Sequence, residues 1–155
     1  MSNIIIREAI PGDLNALLEC EQGIVRYERP FDGTLRDGEI HYYNLAEMIV
    51  ADHVHVVVAE VDGKIVGSGY ARIEKAKPYH KHEDYAYLGC MYVEPEMRGK
   101  GINSLVLEAL KNWCRSKNIT ELRLEVYTYN EPAIKAYEKA GFKPILTWMR
   151  MGLDE

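Results

Sequence analysis

At 155 residues, with 47% hydrophobic and 28% charged side chains, the chain has the size and composition of one globular domain, which excludes the disordered and fibrous classes. A net charge of −5 argues against a dedicated nucleic-acid binder, which presents a basic face. Cys20, Cys90 and Cys114 form no Cys-x-x-Cys and make an odd count, so a reduced, cytoplasmic setting is expected rather than a disulfide framework.

The stretch Met1–Arg7 has only three consecutive apolar residues, too few for a signal peptide. No stretch approaches the ~20 apolar residues that cross a bilayer, so no membrane association is expected. Ile4–Ala9 reads as a first strand. Pro11-Gly12-Asp13 opens a helix whose stripe Leu14, Leu17, Leu18, Ile24 and Val25 continues to about Tyr27. Arg29–Thr34 is punctuated by proline and glycine and reads as a loop, followed by a second helix over about Glu39–Ala51. Val54–Val61 and Lys64–Ile73 are rich in β-branched and apolar residues, and the Asp62-Gly63 between them predicts a hairpin.

Glu74–Asp84 is polar and reads as a turn. Tyr85–Val93 is the next strand, stopped by Glu94-Pro95-Glu96. A third helix is expected over Gly101–Lys117, with Leu105, Val106, Ala109, Leu110 and Trp113 on one face. Thr120–Tyr127 reads as a strand, Glu131–Ala140 as a short helix closed by Gly141, and Phe142–Met151 as a last strand or two. The order β-α-α-β-β-β-α-β-α-β predicts an α/β fold, one mixed sheet flanked by helices, in a single domain over 1–155.

Two motifs carry chemistry. Arg98-Gly99-Lys100-Gly101-Ile102-Asn103 lies between an apolar strand and a helix. Glycines let backbone come close to a ligand, the unpaired N–H groups of a helix start point outward, and the dipole and two cations favour an anion. This reads as the pyrophosphate site of a nucleotide-derived cofactor. The other motif runs from Leu124-Glu125-Val126 through Asn130 to Tyr137 and Gly141-Phe142. Asn130 suits a helix cap, and Tyr137, two helical turns on, lies on about the same face.

Together the two motifs resemble those of the GCN5-related N-acetyltransferase (GNAT) superfamily. The motif from Leu124 to Phe142 is most similar to that of ribosomal-protein alanine N-acetyltransferase-like members. The resemblance covers about Ile4–Met151 in element order and is sharp in Tyr87–Leu110 and Leu122–Phe142. It implies that acetyl-CoA lies between the strand ending at Val93 and the strand Thr120–Tyr127. Main-chain groups of Met91, Tyr92 and Val93 would hold the acetyl carbonyl and the pantetheine arm. Backbone amides of Arg98, Gly99, Lys100, Gly101, Ile102, Asn103 and Ser104 would hold the pyrophosphate. Asn130 would bond the pantetheine chain, and Tyr137 would protonate the leaving thiolate. Asn103 stands where the family pattern has a small residue, and asparagine tolerates unusual backbone angles. Relatives are often dimers, so the resemblance extends to a homodimer.

Direct acyl transfer needs a neutral amine. For an amine of pKa about 10.4, reaching that form at pH 7 costs about 4.6 kcal/mol. A positioned base, an ordered water or desolvation must meet that cost. Backbone N–H groups at Met91 or Val93 would polarise the carbonyl. Strand parity puts Arg123, Glu125 and Tyr127 on one face, and in the members it resembles the Glu of Leu-Glu-Val is the proposed base. Glu83 and Asp84 are second choices. His53 and His55 share a strand face by parity, and His80 and His82 lie near a turn, but no third ligand at metal spacing is visible, so no metal is expected. Cys90 reads as a small core residue.

The expected acceptor is a primary amine of a small molecule or of a peptide or protein N-terminus, entering past Tyr27–Gly38 and Lys77–Asp84. The same residues fit a different class, a CoA-binding sensor or partner-binding module without turnover. The joint presence of Tyr137 and Glu125 favours the enzyme.

Overall fold

The computed structural model describes residues 3–153. It divides into two compact units, one ending at Glu125 and one beginning at Val126. In the larger unit, β1 (Ile4–Glu8) leads through a 3-10 turn at Pro11–Asp13 into α1 (Leu14–Glu28). A short helix, α2 (Leu45–Val50), precedes β2 (Val54–Val61), β3 (Lys64–Lys75) and β4 (Asp84–Val93). Then come α3 (Ile102–Ser116) and β5 (Leu122–Arg123). The strands form one sheet in the order β1-β2-β3-β4-β5. The first three pairings are antiparallel and the last is parallel, because α3 carries the chain back to start β5 alongside β4.

Helices cover both faces of this sheet. On one face Val54, Val56, Val58 and Tyr70 pack with Leu17 of α1 and with Leu45 and Met48 of α2. On the other, Val106 and Leu110 of α3 lie over Gly69, and Trp113 stacks on His55 with ring centroids 5.2 Å apart. Burial on both sides explains why Val56, Val57, Val58 and Ala59 form an unbroken apolar run instead of alternating. The β2–β3 hairpin turns on Asp62 (φ 52°) and Gly63 (φ 79°), and two consecutive left-handed residues match the right-handed twist of the strands.

Four expectations are corrected. The second helix does not begin at Glu39: residues 39–44 are irregular and α2 covers only Leu45–Val50, because the Tyr42 and Tyr43 N–H groups donate to a buried side chain, Glu21, instead of to a helix. The strand expected over Thr120–Tyr127 is paired only at Leu122–Arg123. No strand forms over residues 142–151, where Ile145, Leu146, Trp148 and Met149 stand exposed, so the final β of the expected order is absent from the described residues. Apolar composition alone does not make a strand without a ladder partner. His53 and His55 do not share a face: His53 precedes β2 and lies beside α2, whereas His55 stacks on α3.

In the smaller unit, α4 (Glu131–Lys139) is capped at its start by Asn130, whose Oδ1 accepts from the Ala133 N–H at 3.4 Å. It ends on Gly141 (φ 108°). The Gly141 N–H donates to the Glu138 carbonyl and the Phe142 N–H to the Tyr137 carbonyl, at 3.0 and 2.9 Å, a Schellman closure.

Candidate active site

Strand β4 carries the site. Its pairing with β3 shifts between Ser68 and Tyr70, so Cys90 and Met91 stand opposite the single residue Gly69. This is a β-bulge, which bends the strand and turns its backbone groups away from the ladder. Cys90 takes a left-handed conformation (φ 50°), uncommon for a residue with a Cβ, and three contacts hold it there. The Ser68 hydroxyl donates to the Cys90 carbonyl at 2.6 Å and lies 3.6 Å from its Sγ. The Cys90 N–H donates to the Tyr43 hydroxyl at 3.2 Å. Burial pushes the Cys90 thiol up to about 12, so this cysteine is a packed, protonated group and not a nucleophile.

Past the bulge, β4 runs through Met91, Tyr92 and Val93 into the glycine loop. Gly99 (φ 78°) and Gly101 (φ 80°) are both left-handed, and Gly101 is the residue before α3. The first turn of α3 has no side-chain cap and no acidic residue, so its N–H groups remain turned toward the loop. Val93, Met97, Arg98, Gly99, Gly101, Ile102, Asn103 and Ser104 line a cavity of about 120 Å³ at this point. Asn103 lines the cavity without closing it.

The two cations differ. Arg98 lines the cavity, its Nε donates to the Val93 carbonyl at 3.0 Å, and its guanidinium lies 5.7 and 5.9 Å from the Tyr27 and Tyr92 rings. Lys100 is exposed and does not line the cavity. Tyr92 in turn packs against α1 at Gly23, where a Cβ would overlap its ring. The loop turns backbone amides toward this cavity, an arrangement that favours an anion. Because both glycines face open space, the effect of a side chain there is conformational, about 1–2 kcal/mol for a left-handed residue. Gly101→Val is therefore expected to leave a folded protein whose cradle binds an anion about 10-fold or more weakly, as a pyrophosphate titration would read.

A row of tyrosines lines the sheet beside the bulge. Tyr43 meets Tyr70 edge-on at 5.4 Å, and Tyr70 meets Tyr87 at 6.5 Å. Gly89 is required here, since any Cβ would strike the Tyr70 hydroxyl. Burial raises the pKa of all three hydroxyls, that of Tyr70 to about 12, so they stay protonated. The Tyr87 hydroxyl donates to Glu125 Oε1 at 3.4 Å. Glu125 is exposed on this face, and Arg123 is on it too, its guanidinium 3.8 Å from the Tyr85 ring centre. Asp84, a second choice as base, is ion-paired with Lys75 at 2.9 Å.

The buried carboxylate of Glu21 organises the segment that delivers Tyr43. It accepts from the Tyr42 and Tyr43 N–H groups at 2.7 and 2.9 Å and meets His41 Nδ1 at 2.6 Å. In the smaller unit, Tyr137 meets the Phe142 ring edge-on at 5.7 Å. Among the described residues no group of three or more His, Cys, Asp or Glu side chains is placed to share a metal ion, and no helix is long and apolar enough to cross a membrane.

Tyr43, Tyr70 and Glu21 do not stand out in the sequence. One signal pointed toward them: Gly67, Gly69 and Gly89 inside apolar strands mark a bulge or a close approach.

A strand that bulges and then opens into a glycine loop at an uncapped helix start offers backbone amides to an anion. The chain belongs to the acetyltransferase (GNAT) family, whose model matches residues 20–142, and is an N-acetyltransferase. It is 30% identical over 152 residues to the thialysine N-epsilon-acetyltransferase of Bos taurus, covering 91% of this chain and 85% of the relative. It is 33% identical over 109 residues to the N-alpha-acetyltransferase of Sulfurisphaera tokodaii, covering 67% and 65%. Among solved structures, a tetramutant of the BH1408 protein of Bacillus halodurans matches with a TM-score of 0.86 at 21% identity, covering 96% of this chain and 99% of that one. A predicted acetyltransferase of Clostridium acetobutylicum solved with acetyl-CoA matches with a TM-score of 0.73 at 20% identity, covering 97% of each chain.

Proposed function

We propose that the chain transfers an acetyl group directly from acetyl-CoA to a primary amine of a small molecule or of a peptide N-terminus. One observation carries this reading: a single strand links the bulge at Cys90–Met91 to the cradle at 98–104. Cys90 and Val93 are three residues apart, so a pantetheine arm lying along that strand spans about 10 Å between them. The thioester supplies the electrophilic carbonyl, and the remaining tasks fall to the chain. The backbone of Met91–Val93 orients the acyl group, and the N–H of Met91 or Val93 polarises its oxygen.

In the transfer a C–N bond forms and the C–S bond breaks. The ammonium nitrogen gives up two protons, one before attack and one as the amide forms, and the departing sulfur takes one, so one proton is released to solvent. Glu125 receives the nitrogen's protons through water, oriented by the Tyr87 hydroxyl, and Tyr137 supplies the proton to sulfur and regains one from solvent. The relatives' names support amine acceptors of both kinds, a side-chain amine in one and an α-amine in the other. Three buried free thiols support a reduced, cytoplasmic setting.

Release of free thiol from acetyl-CoA across an amine panel tests the reading, with Tyr137→Phe as the partner variant. Turnover on at least one amine, with kcat lowered about 10²-fold in the variant, is the expected result. Tight CoA binding without turnover on any amine would replace the enzyme with a CoA-binding module.

A further inference from the structure

Another cavity, of about 300 Å³, opens between α2, the residues leading into β2 and the far part of β3. Building on the acetyl-transfer reading, we propose that it is the head-group subsite for a free α-amino acid whose side-chain amine is the acceptor. Arg72 takes the carboxylate and Glu47 takes the α-ammonium.

The cavity joins opposite charges in a small space. Its polar lining is Tyr42, Tyr43, Asn44, Glu47, His53 and Arg72, over an apolar floor. A zwitterionic head group presents the complementary pair, one anion for the guanidinium and one cation for the carboxylate. Arg72 is held in place before any ligand arrives. Its Nε donates to Glu74 at 2.5 Å, and its guanidinium lies 5.6 and 5.5 Å from the Tyr70 and Tyr87 ring centres. That leaves the Nη edge for a planar acid group, as a fixed fork requires. His53 is anchored alongside, its carbonyl accepting from the Ile73 N–H at 2.8 Å.

The cavity also reaches the reacting position, because Tyr43 lines it and accepts from the Cys90 N–H at the bulge. Arg72 pairs with Tyr87, three residues before Cys90, a separation of about 10 Å along the strand. A lysine-like side chain plus one hydrogen bond spans about that distance. The volume admits a small molecule and not an extended peptide. A diamine would leave Arg72 without an anion, and a peptide N-terminus carries no carboxylate at the required distance.

The test compares L-lysine and L-ornithine with their decarboxylated counterparts cadaverine and putrescine, with thiol release as the readout. The amino acids are expected to exceed the diamines by about 10-fold or more in kcat/KM, mostly through KM. Arg72→Gln is expected to collapse that ratio toward one. Nα-acetyl-L-lysine, which lacks the α-ammonium, is expected to lose affinity in the wild-type enzyme. Diamines matching or exceeding the amino acids would overturn the subsite while leaving amine acetylation standing. So would turnover confined to peptides. Absence of thiol release with every amine tested would instead overturn the parent reading. The wild-type comparison of paired substrates decides the matter even if Arg72→Gln fails to fold.

Discussion

Glu125→Gln will lower kcat at pH 7 by about 10²–10³-fold, within the range of general acid–base contributions, and raising the pH toward 10 will restore much of it. The reasoning starts from the amine. At neutral pH almost all of it is protonated, and reaching the reactive form costs about 4.6 kcal/mol for a lysine-like group. Raising the pH meets that cost from solution, so a variant without its base recovers as the amine deprotonates.

Geometry favours Glu125 over its neighbours. The Tyr87 hydroxyl, kept protonated by burial and by the adjacent carboxylate, donates to Glu125 and fixes its direction. Asp84 is already paired with Lys75. Glutamine keeps the acceptor oxygen that Tyr87 needs, and the side chain is exposed, so the thermal midpoint is expected to stay within about 1 °C. A pH–rate profile identical to wild type would remove Glu125 from the mechanism.

Glu21→Ala is expected to abolish most activity although the Glu21 side chain itself lines neither cavity. Glu21 is wholly buried and accepts from two backbone N–H groups and from His41. Deleting it orphans the two amides at about 1–3 kcal/mol each, about 4 kcal/mol together. At about 2–4 °C per kcal/mol for a chain of this size, the midpoint should fall by about 8–16 °C. The freed segment carries Tyr43, so the bond to the Cys90 N–H loosens and the bulge loses one of its three restraints.

The pH dependence gives an independent readout. The hydrogen bond to Glu21 raises the pKa of His41. A raised folded-state pKa contributes stability that is complete below the unfolded value near 6.5 and fades as pH climbs through the folded value. Glu21→Ala should therefore flatten the wild-type decline in stability above about pH 6.5, as melting curves in a pH series would record. Glu21→Gln retains an acceptor for the amides and should recover part of the midpoint but not the pH slope.

Elements with a strong local cause were legible in the residues. Asp62-Gly63 fixed a hairpin because both positions tolerate left-handed backbone, and Asn130 and Gly141 bracketed α4 because one caps and the other closes. The glycines at 99 and 101 marked the cradle for the same reason. Elements that depend on a distant partner were not legible. Residues 39–44 read as the start of a helix continuing to Ala51, yet Glu21, some twenty positions earlier, takes the Tyr42 and Tyr43 amides. Ile145–Met149 has strand composition, yet composition supplies no ladder partner.

The candidate site divides along the same line. By itself the sequence determined the left-handed glycine loop before α3 and the order of the elements from β2 to α4, because each rests on local backbone freedom or on periodicity along one element. Only the tertiary structure decided that Cys90 would sit left-handed at a bulge, that Tyr43 would reach its amide, and that Arg72 and Glu47 would share a cavity. Those contacts join residues remote in sequence, and beyond the glycines at 69 and 89 that permit the close approach, packing across a sheet leaves no trace in a short run of residues.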